Sequence, residues 1–474
     1  MIESLSSSLL AFLLLAASLL ASAHILLSKE DVRAAIGWLA VVWIAPGAGA
    51  FLYILLGVNR IRRRAEQRRR RRLGDMRDRP VDRGPSLTAL DPRADTRFAA
   101  HARLARELTR LPLTRGNSLR PLIDGDEAYP AMLAAIDGAQ RSLALSTYIF
   151  EWDLVGRAFA DALARAARRG VKVRVLVDAM GSLFVAPRLR RLGVPARAFN
   201  MPSPNHAAFL NLRTHRKLLI ADGRQAFTGG MNIRDVHQRA GEKPFAARDV
   251  MFAIDGPVVG QLMEVFAEDW QFAGGDVLVG PDWFPALAEQ ADGAVCRAVP
   301  DGPDKQFSSV GWILESALAT AQEKVLIATP YFLPDLGLIA ALAQAALRGV
   351  EVRILIPERS NYRVVGWAAM AQLRPLIEHG CKVHLTPPPF DHVKLTVIDG
   401  YWALIGSSNW DTRSFRLNFE LNCEVYDASF AGRVEAILED RIAAARPLTR
   451  EAVARRPLAL RLRDRAAWLM SPYL

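Results

Sequence analysis

The sequence predicts an α/β protein carried on an N-terminal pair of membrane helices, with the rest of the chain built from one unit written twice. Three observations predict it. Two apolar stretches without charge fill the first sixty residues. A block of strand, helix, strand and helix recurs about 180 residues further on. A histidine, a lysine, an aspartate and an asparagine stand at matching spacing in both copies.

The membrane segments come first. No charged residue lies between Ser4 and Ser28, nor between Ala34 and Asn59. About 20 apolar residues cross the hydrocarbon core, so both stretches qualify. Pro46 and its neighbouring glycines interrupt the second, which a membrane helix tolerates. Trp38, Trp43 and Tyr53 are expected near the interfaces. Ala21-Ser22-Ala23 has the form of a signal cleavage site, but the start Met1-Ile2-Glu3 carries no positive side chain and a second apolar stretch follows at once. Both features favour a retained anchor. Nine arginines stand between Arg60 and Arg72, after a charge-balanced loop from Lys29 to Arg33. Such a run stays cytoplasmic, which predicts a hairpin with both ends inside. It also attracts anionic lipid, at about 1 kcal/mol per charge near the surface.

A chain of 474 residues is too long for one ordinary core. The net charge of +12 implies acidic partners: nucleic acid, an anionic membrane or phosphate substrates. Cys296, Cys381 and Cys423 are far apart, which excludes a disulfide framework or a zinc site built on paired cysteines.

The repeat defines the remainder. Leu143–Asp153 pairs with Val325–Asp335, each an apolar strand ending in polar and aromatic residues. A helical stretch follows in each copy and stops at Arg169-Gly170 and Arg348-Gly349, glycine being the natural helix stop. Next come the strands Val171–Val177 and Val350–Ile356, then a second helical stretch and the histidine motif. Alternating strands and helices predict a mostly parallel sheet in each copy. Two copies predict a pseudo-twofold pair of α/β domains with a shared site where equivalent edges meet.

The motifs read Thr214-His215-Arg-Lys217 through Asp222 to Asn232, and Asp391-His392-Val-Lys394 through Asp399 to Asn409. Histidine to lysine is two, to aspartate seven and to asparagine seventeen in both. On a strand, residues two apart face one side, so histidine and lysine are expected to project together. Chemistry assigns them work on a phosphodiester. Lys217 and Lys394 neutralise nonbridging oxygens as charge builds up, and Asn232 and Asn409 donate further hydrogen bonds. One neutral imidazole attacks phosphorus to give a phosphohistidine. The other, protonated, serves the leaving alkoxide and then the incoming alcohol. The residues alone leave open which of His215 and His392 takes which part. Asp249 and Glu420 follow the two motifs in equivalent contexts and are candidates for orienting the histidines. Asp222 and Asp399 complete the candidate catalytic set, and each precedes a glycine in an Asp-Gly turn, whose stabilisation is their alternative task.

These motifs resemble those of the phospholipase D superfamily, and the chain as a whole resembles bacterial cardiolipin synthases. The likeness runs from the hairpin through Thr329-Pro330-Tyr331-Phe332, Gly366-Trp367 and Arg413-Ser414 to Ser471-Pro472-Tyr473-Leu474. It implies two phospholipase D-like α/β domains and transfer of a phosphatidyl group between two phosphatidylglycerols, giving cardiolipin and glycerol. A hydrolase, or a transferase with another donor such as phosphatidylethanolamine, is the nearest alternative. By similarity His215 is the nucleophile and His392 the acid/base. The exchange of one phosphodiester for another needs no nucleotide, and neither cofactor nor metal is expected. The expected partners are phosphatidylglycerol, cardiolipin and anionic membrane lipids, not nucleic acid, since much of the positive charge lies beside the membrane segments. The resulting layout is a transmembrane hairpin over 1–59, a basic juxtamembrane segment and linker over 60–92, and domains over 93–285 and 286–449. A basic amphipathic tail over 450–474 either lies on the membrane surface or packs on the second domain. The expected location is the bacterial inner membrane, multi-pass, with cytoplasmic catalytic domains.

Overall fold

The structure is a computed structural model that describes residues 2–29, 32–57, 86–87, 95–200, 212–239, 246–303 and 308–471. The arginine run and nearly all of the linker lie outside the described residues. The first apolar stretch forms one helix, Ile2–Ser28, whose 27 residues reach about 40 Å at the helical rise. It alone, among the described residues, is long and apolar enough to cross a membrane. The second apolar stretch does not form one unbroken helix. That stretch forms a helix only over Val32–Ile44, breaks, and resumes as Ala48–Leu52 and a π-helical turn over Tyr53–Gly57. Pro46 lacks the N–H a helix needs, and Gly47 sits at φ 83° in the left-handed region. The two arms still pack together. Trp43 Nε1 donates to Ser22 Oγ at 3.1 Å, the Tyr53 hydroxyl lies 2.7 Å from His24 Nδ1, and Lys29 Nζ donates to the Gly57 carbonyl at 2.6 Å. Tyr53 is buried in that seam against Trp38 rather than facing an interface.

The repeat becomes two equivalent seven-stranded units. In the first half the strands are β1 (Leu113–Ile123), β2 (Ser142–Thr147), β3 (Lys172–Asp178), β4 (Ala196–Phe199), β5 (Leu218–Ala221), β6 (Gln225–Gly229) and β7 (Val250–Asp255). Their counterparts are β8 (Ala294–Asp301), β9 (Lys324–Ala328), β10 (Glu351–Pro357), β11 (Lys382–Thr386), β12 (Leu395–Ile398), β13 (Trp402–Gly406) and β14 (Asn418–Tyr426). The first half runs β4-β3-β2-β5-β6-β7-β1 and the second β11-β10-β9-β12-β13-β14-β8. β1 pairs antiparallel with β8, so the halves join through their equivalent strands.

The sheet is mixed, not mostly parallel. Within each seven-stranded unit only β2–β3–β4 and β9–β10–β11 run parallel, and the unit's other neighbouring strands pair antiparallel. The cause lies in the motif itself. Asp222-Gly223 and Asp399-Gly400 all have positive φ, 53° and 64°, then 50° and 58°. Two successive left-handed residues make the tight turn of a hairpin, which sends β6 and β13 back against β5 and β12.

Packing makes the halves one body. Helices Val258–Phe272 and Ala428–Ala443 share a single core, in which Leu262 and Phe266 belong with Leu421, Val434 and Leu438. Burying each such side chain contributes about 1.5–3 kcal/mol. Helix Ala99–Thr109 precedes the first half in sequence but packs on the second, where Ala102 and Ala105 join the core of Val310 and Leu314. Fully buried Arg297 ties it down, donating to the Ala102 carbonyl at 3.0 Å and pairing with Glu424. Burial pushes the Glu424 carboxyl up, but Arg297 and His101 outweigh it and hold the group at about 2. Of the two readings of the C-terminal tail, the described part follows the packed one. Helix Leu458–Trp468 lies on helix Arg363–Glu378, with Ala467 buried beside Ala368 and Arg463 stacked 4.5 Å from the Trp367 ring. Leu458, Leu462 and Leu469 remain exposed on it.

Candidate active site

Each histidine motif is stitched to the other half of the molecule. Arg213–Thr214 pairs in parallel with Asn418–Phe419, and the His215 N–H donates to the Phe419 carbonyl at 2.9 Å. Phe390–Asp391 pairs in parallel with Ala247–Arg248, and the His392 N–H donates to the Arg248 carbonyl at 2.8 Å. Histidine and lysine do not ride one continuous strand, as the spacing alone implies. Residues 215–217 and 392–394 link two strand segments instead. Lysine returns to its own motif: Lys217 Nζ donates to the His215 carbonyl, and Lys394 Nζ to that of His392, both at 2.5 Å.

The stitching crosses the carboxylates. Glu420 of the second half sits 3.0 Å from Nδ1 of His215 in the first. Asp249 of the first half sits 2.8 Å from Nδ1 of His392 in the second. With Nδ1 engaged, Nε2 of His215 is left for chemistry, while Nε2 of His392 lies 3.1 Å from Lys394 Nζ. The carboxylates are themselves fixed. Ser407 Oγ and Asn418 Nδ2 donate to Glu420 at 2.5 and 3.1 Å. The Val250 N–H donates to Asp249 at 2.8 Å, and the Asp249 N–H donates to Asp124 at 2.9 Å. Gly230 stands where the second half has Ser407. A Cβ there would lie 2.5 Å from an Asp249 carboxylate oxygen, so glycine makes the room.

Both histidines and both asparagines face one cleft of about 1360 Å³. The Asn232 carbonyl oxygen accepts the Ile149 N–H at 3.1 Å, which leaves its amide N–H groups for a ligand. The Asn409 carbonyl oxygen is buried without a partner among the described residues. Sequence reasoning missed several neighbours. The Tyr148 ring lies 5.2 Å from that of His215, with Lys217 Nζ 5.7 Å from it. The His237 ring lies 6.1 Å from that of His392. Buried Asp178 accepts the Thr214 N–H at 3.0 Å and so sets the start of the first motif. Tyr148 had a signal, the aromatic end of the first repeat strand; His237 and Asp178 had none.

Asp222 and Asp399 do not belong with the reacting groups, which corrects their place in the candidate catalytic set. Asp222 accepts the backbone N–H groups of Gln140, Arg141 and Ser142 at 2.7–3.1 Å. Asp399 accepts those of Gln322, Glu323 and Lys324 at 2.9 Å. Each carboxylate clamps the hairpin turn to the entry of β2 or β9. That is a structural task, done at equivalent places in both copies.

Burial sets the titration of the site. It lowers Lys217 to about 7 and Lys394 to about 8, even though Glu420 and Asp249 pull the other way. It lowers His215, against the opposing pull of Glu420. It lowers His392 further, helped by Lys394 and Lys217. His237 falls to about 3, mainly by burial. Burial pushes Glu420 up, but His215 and Lys217 outweigh it and leave it below the usual range. Among the described residues, no three of His, Cys, Asp or Glu are grouped to hold a metal ion.

Two histidine–lysine half-sites facing one cleft across a pseudo-twofold sheet define an enzyme of the phospholipase D type. The family model described as cardiolipin synthase, PLD-like domain, matches residues 132–270 and 314–442. The chain is similar to cardiolipin synthase A of Pseudomonas fluorescens, at 33% identity with 96% of each chain covered. It is similar to cardiolipin synthase A of Pseudomonas aeruginosa at 34%, covering 96% of this chain and 93% of that one. Among solved structures, phosphatidylserine synthase of Haemophilus influenzae shares the fold, with a TM-score of 0.62 at 15% identity over 79% of this chain and 100% of that one. The chain belongs to the cardiolipin synthase family of phospholipase D-like proteins, and is a membrane-associated phosphatidyltransferase.

Proposed function

We propose that the protein makes cardiolipin and glycerol from two molecules of phosphatidylglycerol, through a phosphohistidine on His215. The observation that carries this reading is the crossed site: two histidines on one cleft, each backed through Nδ1 by a carboxylate from the other half. His215 Nε2 attacks phosphorus, and the bond to the glycerol oxygen breaks as His392 gives that oxygen its proton. Neutral His392 then takes the proton of the second lipid's hydroxyl, whose oxygen attacks phosphorus and frees His215. Lys217, Lys394, Asn232 and Asn409 hold the nonbridging oxygens where charge builds up.

Burial and Lys394 hold His392 well below its ordinary value, so its proton must come with the substrate. A bound phosphodiester anion offsets the lysine charge and raises the imidazole's affinity for a proton. Donor binding at neutral pH therefore takes up a proton. Placing the second lipid in a cleft shielded from water favours alcohol over hydrolysis. The helix Ile2–Ser28 holds the enzyme at its substrate, and the arginines after the second apolar stretch keep the catalytic part cytoplasmic on a multi-pass anchor.

The test is incubation of purified protein with phosphatidylglycerol as sole lipid. Cardiolipin and glycerol in equal amounts support the reading. Phosphatidic acid as the product, or a requirement for a second kind of donor lipid, refutes it.

A further inference from the structure

The cleft is lined by cations that differ in kind between the halves. In the first half they are paired. Arg213 lies 4.0 Å from Asp178, Arg234 bonds Glu151 at 2.8 Å, and Arg239 lies 3.9 Å from Asp124. In the second half, Arg359, Arg363 and Arg413 line the same cleft, and their guanidinium groups have no carboxylate or hydrogen-bond partner among the described residues. The repeat shows what stands in their place on the other side. β3 and β10 start 179 residues apart, at Lys172 and Glu351. By that offset Arg359 and Arg363 replace Met180 and Phe184, which are 44% and 72% exposed. By the 177-residue offset of the histidines, Arg413 replaces Val236. Three apolar positions in one copy are thus three arginines in the other.

We propose that Arg359 and Arg363 form a second phosphate subsite, which holds the phosphodiester of the acceptor lipid while its hydroxyl reacts. The inference rests on the transfer reading above and adds where the second lipid sits. In an in-line displacement the nucleophile and the exchanging alcohol lie on opposite sides of phosphorus. With His215 attacking from the first half, the alcohol side is that of His392, which the loop of Arg359 and Arg363 approaches through Tyr362, Tyr331 and Phe390. The two alcohols that use this side differ in charge. The departing glycerol is neutral. The entering glycerol carries its own phosphodiester three carbons from the reacting hydroxyl. Only the entering lipid needs an anion site there, and the guanidinium fork suits a phosphodiester. Lys217 and Lys394 remain with the phosphate that reacts. The aromatic rings of Tyr331 and Tyr362, 5.9 Å apart, bridge from the arginine loop toward Phe390 and His392.

The test makes two acceptors compete. Full-length protein in vesicles of phosphatidylglycerol, with ethanol added, forms cardiolipin from the lipid acceptor and phosphatidylethanol from the neutral one. Arg359→Met with Arg363→Phe gives the second loop the residues of the first, at exposed positions where folding tolerates the change. The expected result is at least a tenfold fall in the ratio of cardiolipin to phosphatidylethanol, with a raised KM for the acceptor. A parallel fall of both products, at constant ratio, overturns the subsite and leaves the transfer reading standing. Wild-type protein that yields phosphatidylethanol but no cardiolipin overturns both. Inorganic phosphate separates a lipid-bound from a free anion. If it lowers the ratio in wild type but not in the double variant, the site exists and admits free phosphate. If it leaves wild type unchanged while the variant still shows its fall, the site takes only the lipid.

Discussion

His215 and His392 are equivalent in sequence and housed differently. His215 leans on Glu420, which Ser407 and Asn418 hold, and lies edge-on to Tyr148. His392 leans on the shorter Asp249, which fits because Gly230 has no side chain, and lies beside a third imidazole, His237. The shared reagents are kept and their surroundings diverge. A duplicated unit therefore acquires two roles by changing the neighbours of an unchanged motif. The cleft rim repeats the lesson: Met180 and Phe184 in one copy stand where the other has Arg359 and Arg363.

The largest effects come from removing the histidines. His215→Ala and His392→Ala both abolish cardiolipin formation, but they fail at different steps. With His215 gone no phosphoenzyme forms. With His392 gone only leaving-group protonation is lost, a step worth about 10²–10⁴-fold. An activated phosphodiester whose leaving group needs no proton is therefore trapped on His215 in the His392 variant, and mass spectrometry locates it. An adduct on His392 in the His215 variant reverses the assignment, and half activity in either variant dissolves the single site.

Exchanging the orienting carboxylates follows. Glu420→Gln, a change in the second half, slows phosphohistidine formation at His215 in the first. Asp249→Asn slows the proton transfers of His392. Each lowers kcat by about 10²–10⁴, as loss of a carboxylate behind a catalytic histidine does. Rapid-quench measurement with the activated donor separates the two; burst loss in the Asp249 variant instead of the Glu420 variant contradicts the crossed pairing.

A smaller effect tests why the two carboxylates differ in length. Gly230→Ala drives a methyl into Asp249 and lowers kcat by about tenfold or more, while Ser407→Ala removes one hydrogen bond from Glu420, worth about 1.5–3 kcal/mol to a charged acceptor. Combining Gly230→Ala with a still shorter partner is impossible, so no second change restores it. Equal wild-type rates in the Gly230 variant exclude the steric account.

The pH dependence is milder. Lys217 at about 7 and Lys394 at about 8 are charged below those values and neutral above them. Raising the pH through 7–8 thus removes cations from the free site. The expected outcome is an alkaline fall in kcat/KM for the anionic donor in that window, with kcat nearly flat because bound phosphodiester keeps the lysines charged. A pH-independent kcat/KM from pH 6 to about 9 contradicts it. The smallest effect on chemistry belongs to Asp222→Asn and Asp399→Asn. Each weakens a turn clamp by about 1–3 kcal/mol. Calorimetry reads a lower Tm in both, and turnover per folded molecule stays near that of wild type.

Much of this was legible in the sequence, for definite reasons. Spacing recurs when a folding unit recurs, so the matching positions of His215 and His392, Lys217 and Lys394, and Asn232 and Asn409 marked one shared site. Asp249 and Glu420 were visible from their equivalent contexts. Their crossing was not. A carboxylate near a motif in sequence reads as its partner, and only the tertiary pairing of 213–214 with 418–419 and of 390–391 with 247–248 exchanges them. Asp222 could be read two ways, its place in the motif suggesting chemistry and its Asp-Gly turn a structural task, and the left-handed turn it occupies makes it a clamp. The mixed sheet followed from that same turn. The broken second membrane arm was signalled by Pro46, but composition alone does not say whether a proline bends a helix or ends it.

The crossed stitching has a consequence for the birth of the chain on the ribosome. A nascent protein ending short of Asn418 already carries His215, Lys217 and Asn232, the attacking side complete in composition. It lacks Glu420 to orient the ring and the Phe419 carbonyl to hold the motif's backbone. It also lacks a settled proton donor. The anchor, made first, places this unfinished enzyme against the very lipids it will cut. Because each imidazole takes its orientation from residues on the far half, full reactivity waits until the second half has folded against the first. Membrane attachment precedes competence, and the bilayer is spared a lipid-cleaving fragment tethered to its surface.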